Sequence, residues 1–332
     1  MRLARQPSSA RPWSSRARLS VGLGAFAIAF SSILVKLSHA SPSTAAIFRC
    51  AYALPLLALL AWREDRRYGA RSWHDRRAAI ASGVFFAADL VLWHHSIEDV
   101  GAGLATVLAN IQVVLVPLVA WLTLAERPGR QVLAWLPVAL LGVVLISGVA
   151  EHGAYGQDPT AGAVYGAAAG IAYVGFLLLL RRGGVDLRRP AGPLFDATAT
   201  AAVVASLIGI VVGDARFVPA WPGAGWLAVL ALTSQVLGWL LITISLPRLP
   251  AAITSLLLMI QPIGSMVFGA VIFAESPSAL QLLGVVLVMA AVAFATRGTT
   301  SAPAAHSPVP VSETGPAPAL AAAAPRQVRP RC

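Results

Sequence analysis

The sequence predicts an all-α integral membrane protein: ten transmembrane helices arranged as two inverted five-helix repeats. Three observations carry this expectation. Of the 332 residues, 57% are hydrophobic and 12% charged, against about 25% charged in a soluble domain. Ten windows of roughly twenty apolar residues are present, each long enough to cross a bilayer as a helix. The segment from Ala102 to Pro128 also returns 149 positions later as Ala251 to Pro277. That offset pairs Leu108 with Leu257, Ile111 with Ile260, Gln112 with Gln261, Ala125-Glu126 with Ala274-Glu275, and Pro128 with Pro277. Leu on Leu means little in so apolar a chain. A Gln inside an apolar run, followed by Glu-x-Pro, is harder to repeat by accident. Two copies of one membrane unit is an architecture of secondary transporters, whose site lies between the copies.

The windows run over about 19–37, 43–62, 78–97, 102–124, 131–150, 161–180, 194–213, 224–246, 250–273 and 279–296. Turn chemistry or charge separates them, as in Ser41-Pro42-Ser43, Arg127-Pro128-Gly129, Arg189-Pro190 and Pro219 to Gly225. Helix is the expected state, because lone apolar strands leave their backbone unsatisfied in lipid. The first repeat covers 19–150 and the second 161–297. Residues 1–18 form an Arg/Ser-rich cytoplasmic segment, and 298–332 an Ala/Pro-rich cytoplasmic tail expected to be disordered. Residues 1–18 also resemble a signal n-region, with Ser38-His39-Ala40 as a cleavage site. Window one is nevertheless expected to be retained, since it completes the five-helix repeat.

The net charge of +11 reads as topology, not as a nucleic-acid site. With the N-terminus inside, the cytoplasmic segments collect Arg63, Arg66, Arg67, Arg71, Arg76, Arg77, Arg181, Arg182, Arg188 and Arg189, while the opposite loops hold Arg216 alone. This positive-inside bias predicts an N-in, C-in topology, and the expected location is the bacterial inner (plasma) membrane. Five helices per copy is an odd number, so the second copy enters upside down, with Glu126 in a cytoplasmic loop and Glu275 in an external one. The only cysteines are Cys50 and Cys332, which excludes a disulfide framework, and no Cys/His spacing suggests a metal site. Gly22-x-Gly24 lies in an apolar window with no phosphate loop, and no Ser/His/Asp motif is present. No enzyme activity, cofactor or metal is expected.

Polar residues inside apolar windows nominate the site. Asp89 falls near the midplane of window three, where an ionisable group is costly unless it is buried in protein or water. Trp93 follows one turn later. Gln235, Trp239 and Thr243 repeat that spacing in window eight, like a second wall of one cavity. Arg49 in window two is read two ways: it snorkels to the external side, or it faces the cavity and meets an anionic substrate or Asp89. Asp196 occupies the matching place in window seven and is expected to cap its helix. His94 and His95 close window three beside Glu98 and Asp99, read as an interfacial pair in preference to a proton-binding cluster. Lys36 is expected to snorkel. Thr106, Asn110, Gln112 and Pro117 in window four, with Thr254, Gln261, Pro262 and Ser265 in window nine, serve either as glue between helices or as substrate contacts. Gly162, Gly166 and Gly170 form a face for close helix contact. Glu126 and Glu275 are expected to cap or pair locally.

Phe48-Arg49, Ala125-Glu126-Arg127-Pro128, Ala274-Glu275-Ser276-Pro277 and Gln281-Leu282-Leu283-Gly284-Val285-Val286 together resemble the EamA-type transporters of the drug/metabolite transporter superfamily, over about residues 20–297. The resemblance implies ten helices, a cavity lined by windows one to four and six to nine, peripheral windows five and ten, and alternating access. In the first copy the element after Glu126 departs from the pattern and reaches its glycine only at Gly142. The expected function is secondary transport, in the export direction, of small metabolites or amphipathic compounds, with proton coupling through Asp89 and a monomer or homodimer as the working form. A non-transporting membrane scaffold or sensor is the alternative. The site residues carried forward are Asp89, Arg49, Trp93, Asn110, Gln112, Gln235, Trp239 and Gln261.

Overall fold

A computed structural model describes residues 15–124, 130–184, 186, 188–245 and 257–297. Among these residues the only regular structure is helical. Window one is two helices, α1 (Ser15–Ala29) and α2 (Ser31–Ser38), meeting at Phe30. Then come α3 (Pro42–Tyr68), α4 (Trp73–Ala109), α5 (Gln112–Leu124), α6 (Arg130–Ile146), α7 (Pro159–Gly183) and α8 (Ala191–Val212). Window eight comprises α9 (Gly223–Leu230), a π-helical segment (Ala231–Gly238) and α10 (Trp239–Ser245). The described chain ends with α11 (Ile260–Phe273) and α12 (Ala279–Arg297). Six continuous helical stretches are long and apolar enough to cross a membrane, and 130–146, 260–273 and 279–295 are shorter apolar helices. The turn at Glu126 to Pro128, Thr254, and the tail from 298 lie outside the described residues.

Local chemistry sets the boundaries. Ser72 caps α4 by accepting the Asp75 N–H at 3.1 Å, and Asp158 caps α7 through the Ala161 N–H at 2.9 Å, ahead of Pro159 in the first turn. Arg66 and Arg67 close α3, and Arg181 and Arg182 close α7, cations at the negative end of each helix dipole. Within α4, Gly101 holds φ +86°, a conformation that strains any side chain, and so divides windows three and four.

Helix pairs meet through small residues, as expected where lipid supplies no hydrophobic force between helices. Gly162 and Gly166 of α7 receive Val100 and Leu108. On α6 and α12 the contact is reciprocal: a Cβ on Gly142 would stand 2.7 Å from the Gly284 carbonyl, and a Cβ on Gly284 would stand 2.6 Å from that of Gly142. Helices α3 and α8 run antiparallel and cap each other. Glu64, near the end of α3, accepts the N–H groups of Ala191 and Gly192 at 2.9 and 2.8 Å. Asp214, just past α8, accepts the Ser43 N–H at 3.0 Å.

Candidate functional site

The polar centre is built around Arg49. The guanidinium is buried, with 4% of the residue exposed. It donates through Nε to Gln235 Oε1 and through Nη1 to Ser31 Oγ, both at 3.0 Å, and lies 5.7 Å from the Trp93 ring centroid. Gln235 passes the network on, its Nε2 donating to Thr198 Oγ1 at 3.1 Å. Windows one, two, three, seven and eight therefore converge on one cation. The snorkelling alternative for Arg49 does not hold in this fold, because the guanidinium is buried and its Nε and Nη1 donate to side chains inside the bundle. Gln235 reaches Arg49 from the π-helical segment, an irregularity often found at functional sites.

Asp89 is buried on α4 one turn before Trp93. Arg49 interacts with it electrostatically, and its charge in turn acts on the Tyr173 phenol. Among the described residues its carboxyl makes no hydrogen bond or ion pair, so the pairing with Arg49, one of the alternatives for that residue, is not formed. Aromatic rings complete the surroundings. Phe86 stacks on Phe176 at 4.3 Å between centroids, and Trp239 meets Phe86, Phe176 and Tyr173 at 6.4, 5.4 and 6.0 Å. A buried carboxyl and a buried guanidinium beside an aromatic wall can bind opposite charges on one amphipathic solute.

The other nominated residues are not part of this network. Asn110 turns to its own helix, donating to the Thr106 carbonyl at 2.7 Å. Gln112 has a buried Oε1 with no partner among the described residues. Gln261 is half-buried at the start of α11. Asp196 does not cap α8, which begins five residues earlier at Ala191. It accepts from Arg71 at 2.7 Å and Arg76 at 3.3 Å. His94 is buried, with Nδ1 3.0 Å from the Pro42 carbonyl oxygen, while His95 stacks on Tyr165, so the two do not form an interfacial pair. Ser31, Thr198, Tyr173 and Phe176 were not anticipated. Tyr173 lies three residues past Gly170 on the close-packed window six, which was the available signal.

At the end of the bundle that holds Gly101, Glu275 makes long-range contacts, not local ones. Its Oε1 accepts from Lys36 Nζ at 2.7 Å and the Ala102 N–H at 2.8 Å, and its Oε2 from the Gly103 N–H at 3.1 Å. Lys36 thus pairs across the bundle where snorkelling was expected. Above it a cavity of about 490 Å³ is lined by Lys36, Glu98, Asp99, Gly101, Tyr155 and Ser276, among others. The Tyr155 phenol there is pushed up from its ordinary range by burial and by the Glu275 charge, which keeps it neutral.

Several apolar, membrane-length helices around a buried polar centre define an integral multi-pass membrane protein. The chain belongs to the EamA-like transporter family, whose model matches residues 17–148 and 160–297. A solved crystal structure, titled only as that of a protein, covers 85% of this chain and 97% of its own at 17% identity and a TM-score of 0.55, a likeness of fold alone. No curated protein matches the chain.

Proposed function

We propose that this protein is a secondary transporter that exports small metabolites or amphipathic compounds by alternating access, through a route lined by Arg49, Asp89, Trp93, Gln112, Gln235, Trp239 and Gln261. The carrying observation is the Arg49–Gln235 bond, which joins the first family match to the second at a buried charge. A buried ion held by both halves is what a site between repeats requires. The mutual capping of α3 and α8, and the reciprocal contact of Gly142 and Gly284, support two inverted five-helix repeats. Each is a pairwise relation that a pseudo-two-fold axis in the membrane plane generates. The N-in, C-in orientation rests on the distribution of arginines between the loops.

The cycle needs a solute to reach Arg49 and Asp89 from one side and leave by the other. Asp89 offers an acceptor to a cationic or hydroxyl-bearing solute, or to a proton. The aromatic wall takes the apolar part. The export direction follows the family's exporters. Flux of a panel of labelled metabolites in proteoliposomes tests the reading, with Arg49→Met as the comparison. Uptake by the wild type and not by the variant is expected; flux of nothing in the panel by wild type favours a scaffold.

A further inference from the structure

We propose that the Lys36–Glu275 pair is the external gate of the route, and that α2, the eight-residue helix carrying Lys36, couples that gate to Arg49. The inference rests on the transporter reading above. It begins with how Glu275 is held. The chain leaves α11 through Ala274 in the left-handed region at φ 54°, and the Glu275 N–H returns to the Gly269 carbonyl at 3.2 Å. That turn folds the carboxylate, 3% exposed, into a cradle of glycines. A Cβ on Gly101 would stand 2.7 Å from Oε1, and one on Gly269 would overlap Oε2. One carboxylate therefore ties α2, the arm of α4 after Gly101, and the end of α11.

Two rungs join α2 to α11. The outer is Lys36–Glu275. One turn deeper, Ser32 Oγ donates to Ser265 Oγ at 3.2 Å, both residues fully buried. At the start of α2, Ser31 accepts from Arg49. Along this one helix the order is the central cation, the serine rung, the ion pair, then the 490 Å³ cavity that Lys36 and Gly101 line. Passage between cavity and centre parts α2 from α11. The junction that permits this is Phe30, whose N–H reaches the Phe26 carbonyl at a stretched 3.4 Å, while the Ala27 and Ala29 carbonyls accept from Ser234 and Ser265. Lys36 is 31% exposed where Glu275 is not. Water therefore already touches one partner, and opening hydrates the other, which removes the penalty of a buried unpaired charge.

The test uses the full-length chain with Cys50→Ala and Cys332→Ala, a reporter Ser32→Cys, and a membrane-impermeant methanethiosulfonate added outside reconstituted vesicles. Labelling of the reporter is expected to be slow with the pair intact. Glu275→Gln removes charge-assisted bonds and should speed labelling about tenfold or more. Gly269→Ala displaces the carboxylate without removing its charge and should do the same. Lys36→Arg, which keeps the pair, should stay within about twofold of the parent. Where Glu275→Gln does not fold, Lys36→Met leaves the carboxylate on its two N–H donors and carries the same expectation. Parent-like labelling in folded Gly269→Ala and in folded Glu275→Gln or Lys36→Met makes the pair a static tie and overturns the proposal. No substrate is needed, so that failure leaves the flux experiment untouched, and absent flux removes the transporter reading whatever the labelling shows.

Discussion

Asn110 and Met259 stand at the repeat offset and hold the same backbone, φ −69°, ψ −7° and φ −65°, ψ −13°. Each interrupts its window two residues before a glutamine, Gln112 in one copy and Gln261 in the other. An interrupted helix frees backbone groups, and in a bilayer that is tolerated only where protein or a water-filled cavity surrounds them. Matching interruptions beside matching amides fit a route lined by both copies.

The first prediction follows. Single cysteines at Trp93, Gln112, Trp239 and Gln261, in a background lacking Cys50 and Cys332, react with small polar thiol reagents, and substrate slows them. Leu140 and Val211, exposed on the apolar surface, serve as lipid-facing controls. Labelling of the controls in preference to the four would move the route elsewhere.

Arg49 and Gln235 should prove energetically coupled. Gln235→Met leaves the buried Arg49 Nε–H and the Thr198 hydroxyl without a partner, a cost of about 1–3 kcal/mol. Arg49→Met strands Gln235 and Ser31 in turn. The double variant should therefore lose less stability than the two singles summed, measured by thermal melting in detergent. Additive losses would mean that the bond contributes nothing of its own. Arg49→Lys keeps charge but not the fork that reaches two acceptors, so flux should fall with only a modest loss of stability.

Gly142→Leu and Gly284→Leu should each destabilise by about 1–3 kcal/mol or more, because the added side chain meets backbone that cannot yield. Melting midpoints check this. A near-neutral result for both would show that α6 and α12 separate freely.

Much of this architecture was legible in the sequence because apolar length and turn chemistry are local. The break at Gly101 has a glycine to announce it. The break at Phe30 has neither Gly nor Pro, and the π-helical segment around Gln235 has no pattern of its own, so neither was anticipated. Asp196 was read as a cap because window seven was drawn from 194; three more helical residues before it move Asp196 past the first turn, within reach of Arg71. Lys36 and Glu275 are 239 positions apart, and no periodicity links them. Side chains that meet across the repeats are a property of tertiary packing. The sequence nominated Arg49 and Gln235 separately but not the bond between them.

Topology offers an independent check on the inverted arrangement. Reporter fusions after Arg71 should read cytoplasm and fusions after Gln157 the outside. In the fold Arg71 meets Asp196, and Arg189 bonds the Tyr68 and Gly69 carbonyls, at one end of the bundle, while the Gln157 N–H bonds the Asp99 carbonyl at the Glu275 end. The same signal from both fusions would break the inverted repeat.

The last prediction concerns energy coupling. Asp89 is a buried carboxyl with no hydrogen-bond partner among the described residues, beside an Arg49 whose Nε and Nη1 donate to Gln235 and Ser31. Such a group is suited to taking up a proton when the route is closed to water and releasing it when the route opens, because the ionised form gains far more from hydration than the neutral one. Asp89→Asn keeps the shape of the side chain and removes the proton site. It should abolish uphill accumulation driven by a pH gradient while leaving downhill exchange partly intact. Facilitated diffusion needs no titrating residue and predicts that wild-type flux ignores an imposed gradient. Flux measured with and without that gradient separates the two. A wild type indifferent to pH would make Asp89 a structural or substrate-binding carboxyl and remove proton coupling from the mechanism.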